Sequence, residues 1–132
     1  MDRQAQIEFL LDHYENPRHK APMEGEGVVM VEGGNPGCGD IVRIYLQADA
    51  EGRAVVTFEG EGCTISQASA SYLAEFANGK TLDALAQLDH NDLIDALGRE
   101  IVTQRTRCAT LSLDTLRAVL RKRERQQLAE TL

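Results

Sequence analysis

The stretch that decides the fold is Ile41-Val-Arg-Ile-Tyr-Leu-Gln-Ala-Asp-Ala-Glu-Gly-Arg-Ala-Val-Val-Thr-Phe-Glu59. Val42, Ile44 and Leu46 alternate with Arg43, Tyr45 and Gln47, then Ala54, Val56 and Phe58 alternate with Val55, Thr57 and Glu59. A period of two marks strands with one buried face, here over Ile41 to Gln47 and Arg53 to Glu59. Asp49-Ala50-Glu51-Gly52 between them reads as a hairpin connection, so the two strands pair antiparallel. A third run, Val28 to Val31, completes a small sheet of about three strands.

The pattern turns helical on both sides of this block. Upstream, Ile7, Leu10, Leu11 and Tyr14 fall at i, i+3, i+4 and i+7 within Arg3 to Asn16, a helix that Pro17 ends and whose apolar face is expected in the core. Downstream, Ile65, Ala68 or Ser69, Tyr72 and Phe76 define one side of a helix from Thr64 to Asn78, with Asn78-Gly79 as its stop. Thr81 can cap a short helix to Leu88, and Asp89 or Asn91 another running towards Val102. The last helix carries Ala109, Leu113, Leu116 and Leu120 and then a charged tail, Arg121 to Arg125, expected to be solvated. Strands grouped before helices predict an α+β domain with helices on one face of a three-stranded antiparallel sheet. One domain over 1–132 is expected, since domains commonly run about 100 to 150 residues.

Fourteen basic against twenty-one acidic residues give a formal charge of -7, which opposes sequence-independent attachment to nucleic acid or anionic lipid. The N-terminal residues lack the pattern of a secretory signal, and no stretch approaches the roughly 20 apolar residues of a membrane span, so a cytoplasmic protein with no nucleic-acid or membrane partner is expected. Three cysteines cannot complete a disulfide framework, which directs attention to metal or redox chemistry.

Each cysteine falls at the edge of an element. Cys38 lies in the glycine-rich loop Gly33-Gly34-Asn35-Pro36-Gly37-Cys38-Gly39-Asp40, where Asp40 can turn its carboxylate to the same side. Cys63 opens the Thr64 helix, whose unpaired N–H groups favour thiolate. Cys108 starts the last helix beside Arg105 and Arg107, whose guanidinium groups are expected to favour thiolate as well. Three thiolates and a carboxylate make a four-ligand set for tetrahedral zinc or for iron in a cluster. The spacing by itself matches no zinc-finger signature, so the residues alone leave open a shared site or separately packed cysteines.

The wording around the cysteines is more specific. Asn35-Pro36-Gly37-Cys38-Gly39-Asp40, Gly60-Glu61-Gly62-Cys63-Thr64-Ile65-Ser66 followed by Ala68-Ser69-Ala70-Ser71, and Arg105-Thr106-Arg107-Cys108-Ala109-Thr110-Leu111 together resemble the three cysteine motifs of the IscU/SufU/NifU N-terminal family. His13-Tyr14-Glu15-Asn16-Pro17-Arg18 resembles that family's N-terminal helix ending. The resemblance implies that the cysteines converge at one exposed end of the fold and accept persulfide sulfur from a cysteine desulfurase. The protein would then assemble a labile [2Fe-2S] cluster from that sulfur and iron on Cys38, Asp40, Cys63 and Cys108 and pass it to recipient apoproteins. The alternative it implies is a zinc-dependent sulfurtransferase of the SufU kind, with Zn2+ at the same residues.

Two departures bear on the branch. The IscU branch has His before its third cysteine, where this chain has Arg107, which cannot ligate a cation. Arg99 to Thr103 occupies the region of the segment that recruits a dedicated Hsp70 chaperone, and that segment is missing, so such a chaperone is not expected as a partner. Both features lean towards SufU, yet the longer insertion typical of SufU between the second and third cysteines is also missing. His13, His19 and His90 are expected to pack or be solvated, and Ser66, Ser69 and Ser71 to serve close packing. Gly33 to Gly39 has neither the lysine and Ser/Thr of a phosphate loop nor a dinucleotide fingerprint.

Overall fold

The computed structural model describes residues 2–37 and 39–132; the expected ligand Cys38 lies outside the described residues. Helix α1 (Arg3–Glu15) is capped by Asp2, whose carboxylate accepts the Ala5 N–H at 2.7 Å. Three strands follow, β1 (Val29–Asn35), β2 (Asp40–Ala48) and β3 (Ala54–Glu61), then α2 (Thr64–Ala77), α3 (Leu82–Ala86), α4 (His90–Leu97), α5 (Arg99–Val102), a 3-10 turn (Thr103–Arg105) and α6 (Thr106–Thr131).

The sheet is antiparallel with order β1-β2-β3, and the register sets Ile44 opposite both Val31 and Phe58. The alternation in β2 and β3 sends Val42, Ile44, Leu46, Val56 and Phe58 to the helix side, where each is at most 1% exposed. Burying each such side chain is worth about 1.5–3 kcal/mol. α6 lies along β1 and β2, α2 along β3, and α1 packs on α2, so the helices occupy one face of the sheet.

Several boundaries differ from the sequence reading for identifiable reasons. β1 runs on through Gly33 and Gly34, which the sequence suggests as loop, because α6 passes directly over it. A Cβ at Gly33 would collide with the Thr115 hydroxyl, so glycine lets strand and helix approach. The helix predicted from Asp89 towards Val102 is broken at Gly98, whose φ of +102° separates α4 from α5. Its start is as expected, with Asp89 and Asp92 forming a reciprocal capping box.

The buried faces of α1 and α2 are also rotated from expectation. α1 buries Leu10 and His13, while Leu11 and Tyr14 stand 42% and 43% exposed. His13 takes the core position because Phe9 and Tyr72 surround its ring edge-on, with centroids 4.8 and 5.9 Å away. α2 buries Ser66, Ser69 and Ser71 with its alanines and leaves Phe76 37% exposed. Ser69 Oγ donates to Ala109 O at 2.6 Å and meets Ser112 Oγ at 3.0 Å, so small hydroxyls let α2 and α6 cross closely.

Candidate metal and sulfur site

Asp40, Cys63 and Cys108 meet at one end of the sheet, with one ligand atom from each within 4.8 Å of the others. Asp40 is the first residue of β2, paired with Asn35 at the end of β1. Cys63 is the N-cap of α2, its sulfur accepting the Ser66 N–H at 3.4 Å. Cys108 is the third residue of α6 and is 3% exposed. Asn35 Nδ2 donates to Arg107 O at 3.3 Å, tying the end of β1 to the start of α6. The expected turning of the Asp40 carboxylate to the side of Cys38 falls outside the described residues; among those described, the carboxylate meets Cys63 and Cys108.

The carboxylate organises the cluster. Asp40 Oδ1 accepts the Cys63 N–H at 2.8 Å, and Oδ2 accepts the Cys108 thiol at 3.0 Å and faces Cys63 Sγ at 3.9 Å. Burial alone would raise the Asp40 carboxyl, but donation from Cys63 N–H and Cys108, with Asn35 and Ser66, holds it below its ordinary value. Gly62 has φ +143°, and a Cβ there would strike the Asp40 carboxylate, so the chain reaches Cys63 only through glycine.

Cys108 differs from expectation. Arg105 and Arg107 are exposed, and the thiol is pushed up to about 12, first by burial, then by its bonds to Asp40 and Cys63. The neighbouring arginines in the sequence do not govern it, because water lies on their side and a carboxylate on the sulfur's side. Cys63, half-buried, is the more accessible of these two sulfurs.

His13 bonds to Ser71 and His90 to Asp114, so neither joins the cluster. Sequence reasoning passed over Asn35 and Gln67. Gln67 Nε2 donates to Ile41 O at 3.3 Å and to Ser66 Oγ at 3.1 Å, holding the start of β2 against the start of α2. Its position one turn after Cys63 was the available signal.

The donor set fits a thiophilic ion. Zinc holds sulfur at about 2.3 Å, so two tetrahedral sulfurs stand roughly 3.8 Å apart, a separation that fits inside the 4.8 Å within which these ligand atoms lie. The Cys108 proton shared with Asp40 occupies the position where an ion would replace it.

A small α+β fold that gathers thiols and a carboxylate at the end of its sheet defines a class of metal- or sulfur-handling proteins. Residues 6–130 match the family described as NifU-like N terminal domain, and the chain belongs to that family. It is 31% identical to the zinc-dependent sulfurtransferase SufU of Bacillus subtilis (strain 168), over 89% of this chain and 90% of that protein. It is 30% identical to the iron-sulfur cluster assembly scaffold protein IscU of Escherichia coli (strain K12), over 88% and 91%. Among solved structures, a putative iron-sulfur cluster assembly scaffold protein for the SUF system from Fervidobacterium islandicum AW-1 superimposes with a TM-score of 0.66 at 30% identity, covering 86% of this chain and 94% of that one. No helix among the described residues is long and apolar enough to cross a membrane.

Proposed function

We propose that this chain, acting as one domain over 1–132, is a cytoplasmic iron–sulfur cluster assembly scaffold. It accepts sulfur from a cysteine desulfurase, combines it with iron and with electrons from a thiol or other external reductant, which bring persulfide sulfur to sulfide, into a labile [2Fe-2S] cluster on Cys38, Asp40, Cys63 and Cys108, and passes the cluster to apoproteins. The observation that supports this reading most is the meeting of Asp40, Cys63 and Cys108 within 4.8 Å. The scaffold names of relatives at 30% identity add to it.

Sulfur transfer in this reading begins with a thiolate attacking the outer sulfur of the desulfurase persulfide. The persulfide S–S bond breaks, the desulfurase thiolate leaves, and the acceptor becomes the persulfide. Asp40 stands 3.0 Å from the Cys108 sulfur, and its carboxylate keeps one hard oxygen in a soft donor set. A hard ligand weakens the hold on the cluster, which a scaffold needs in order to release it.

A second reading, a zinc-dependent sulfurtransferase, is favoured by the Bacillus relative and by Arg107 standing where the IscU branch has His. In that case Cys38, Asp40, Cys63 and Cys108 would hold zinc, which fixes thiolates in place until persulfide arrives.

Anaerobic incubation with ferrous iron, cysteine and a cysteine desulfurase tests both. The scaffold reading predicts cluster absorption in proportion to protein, lost in Cys38→Ser, Cys63→Ser and Cys108→Ser. Unchanged cluster yield in all three variants would overturn it. Stoichiometric zinc, strong stimulation of desulfurase turnover and no transferable cluster would establish the relay instead.

A further inference from the structure

Away from the cysteines, a groove of about 400 Å³ opens between α2, α4 and α6. Its floor is apolar, with Tyr72, Phe76 and Leu113 among its members, and Asp89, Asp92 and Asp95 form its rim. The cations beside it are engaged: Arg117 donates to Leu88 O at 2.5 Å, Lys80 sits 5.0 Å over the Phe76 ring, and Arg99 pairs with Asp95 at 2.9 Å. An apolar trough with a carboxylate rim suits a segment that is basic and carries an apolar anchor.

The chain contains such a segment. α6 continues to Thr131, yet its last buried residue is Leu120, and every residue from Glu124 onwards is exposed. Residues 121–132 hold four basic residues against two acidic, whereas the first 120 hold ten against nineteen. Arg121, Arg125 and Leu128 fall at i, i+4 and i+7, one face of the helix, and Leu128 is 62% exposed. Two turns of helix with no packing are marginal by themselves, so this end gains most from being covered.

We propose that the end of α6 docks into the acidic-rimmed groove of a second copy of this chain, and that the exchange is reciprocal. α6 itself joins the two halves of the interface. Leu113 lies in the groove, and Arg125, twelve residues on, lies about 18 Å further along the same helix. Two copies of α6 side by side and antiparallel bring each tail to the other's groove, with Leu128 over the apolar floor and Arg121 and Arg125 against Asp89 and Asp92. Such a contact is self-complementary and closes at a dimer. It also joins opposite patches in a chain whose bodies otherwise repel, with a net charge of -7.

Sedimentation of the full chain tests the proposal. A reversible dimer is expected at low ionic strength, weakening markedly between about 0.05 M and about 0.5 M salt. Arg121→Glu with Arg125→Glu, and separately Leu128→Asp, should raise the dimer dissociation constant about tenfold or more. Asp89→Asn with Asp92→Asn should do the same while leaving α4 capped, because Asn caps as well as Asp. Unchanged circular dichroism in the tail variants shows that the fold is intact. A monomer at all these salt concentrations overturns the proposal, as does association that the tail or the groove variants leave unaltered. A monomeric chain that takes up an unrelated basic peptide in the groove also overturns it, in favour of a foreign occupant.

Discussion

Cys108 and Asp40, 68 positions apart in the chain, share a proton across 3.0 Å at the buried edge of the site. The thiol is pushed up to about 12, burial being the largest cause and the Asp40 bond the next. At neutral pH Cys108 is therefore a thiol, with only about 3% of its surface open to reagent. Alkylation of the metal-free protein near neutral pH is expected to label Cys63 at least about tenfold faster than Cys108. Peptide mapping by mass spectrometry checks this, and equal rates at the two cysteines would contradict the geometry.

The same proton predicts how metal uptake depends on pH. A thiolate ligand must lose its proton before it binds, and Cys108 keeps its proton across the neutral range. Zinc or ferrous iron binding is thus expected to release protons, its dissociation constant falling about tenfold per pH unit for each proton displaced. Competition against a chromophoric chelator from about pH 6 to about pH 8 measures the slope. Cys108→Ser should reduce that slope by about one proton, whereas a slope that stays the same would show that Cys108 is not a ligand.

The alternation in β2 and β3 fixes their buried face and register almost unaided, because a period of two has one solution when one face is dry. The site edges were legible for a similar reason: glycines, caps and cysteines mark where elements stop. What the sequence hid was context supplied by other elements. His13 reads as polar, yet aromatic neighbours from α2 place it in the core; Gly33 reads as loop, yet α6 needs its missing side chain. Arg105 and Arg107 read as the neighbours that set Cys108, yet a helix turns adjacent residues to different sides, and Asp40 from β2 sets it instead.

Two glycines with similar backbones separate strain from collision. Gly62 has φ +143° and would drive a Cβ into Asp40; Gly25 has φ +133° and nothing within 4 Å. Both Gly62→Ala and Gly25→Ala should lose about 1–3 kcal/mol from backbone strain, read as a lower urea midpoint. Only Gly62→Ala should also weaken zinc or iron binding, by about tenfold or more, because it displaces the carboxylate. Equal metal affinity in the two variants would separate Asp40 from the site.

His13 makes the fold sensitive to mild acid. Ser71 Oγ accepts the Arg18 N–H at 2.9 Å and meets His13 Nδ1 at 2.8 Å, and among the described residues its own proton has no other acceptor. Nδ1 is then the acceptor, and the ring proton sits on Nε2, 4.0 Å from Glu75 Oε1. Burial, helped by Arg18 and opposed by Glu75 and Asp12, holds His13 below its ordinary value. The unfolded chain therefore takes up this proton first as pH falls, so stability is full above about pH 6.5 and declines below it, by at most about 1.4 kcal/mol per pH unit. Asp40, also depressed, acts only below its own unfolded value of 3.8, so the two windows do not overlap. Urea midpoints of the metal-free protein are expected to fall between about pH 6.5 and about pH 5, and His13→Gln to start lower but lose this slope. A wild-type midpoint that stays flat through that window would show that the buried ring takes up its proton in place.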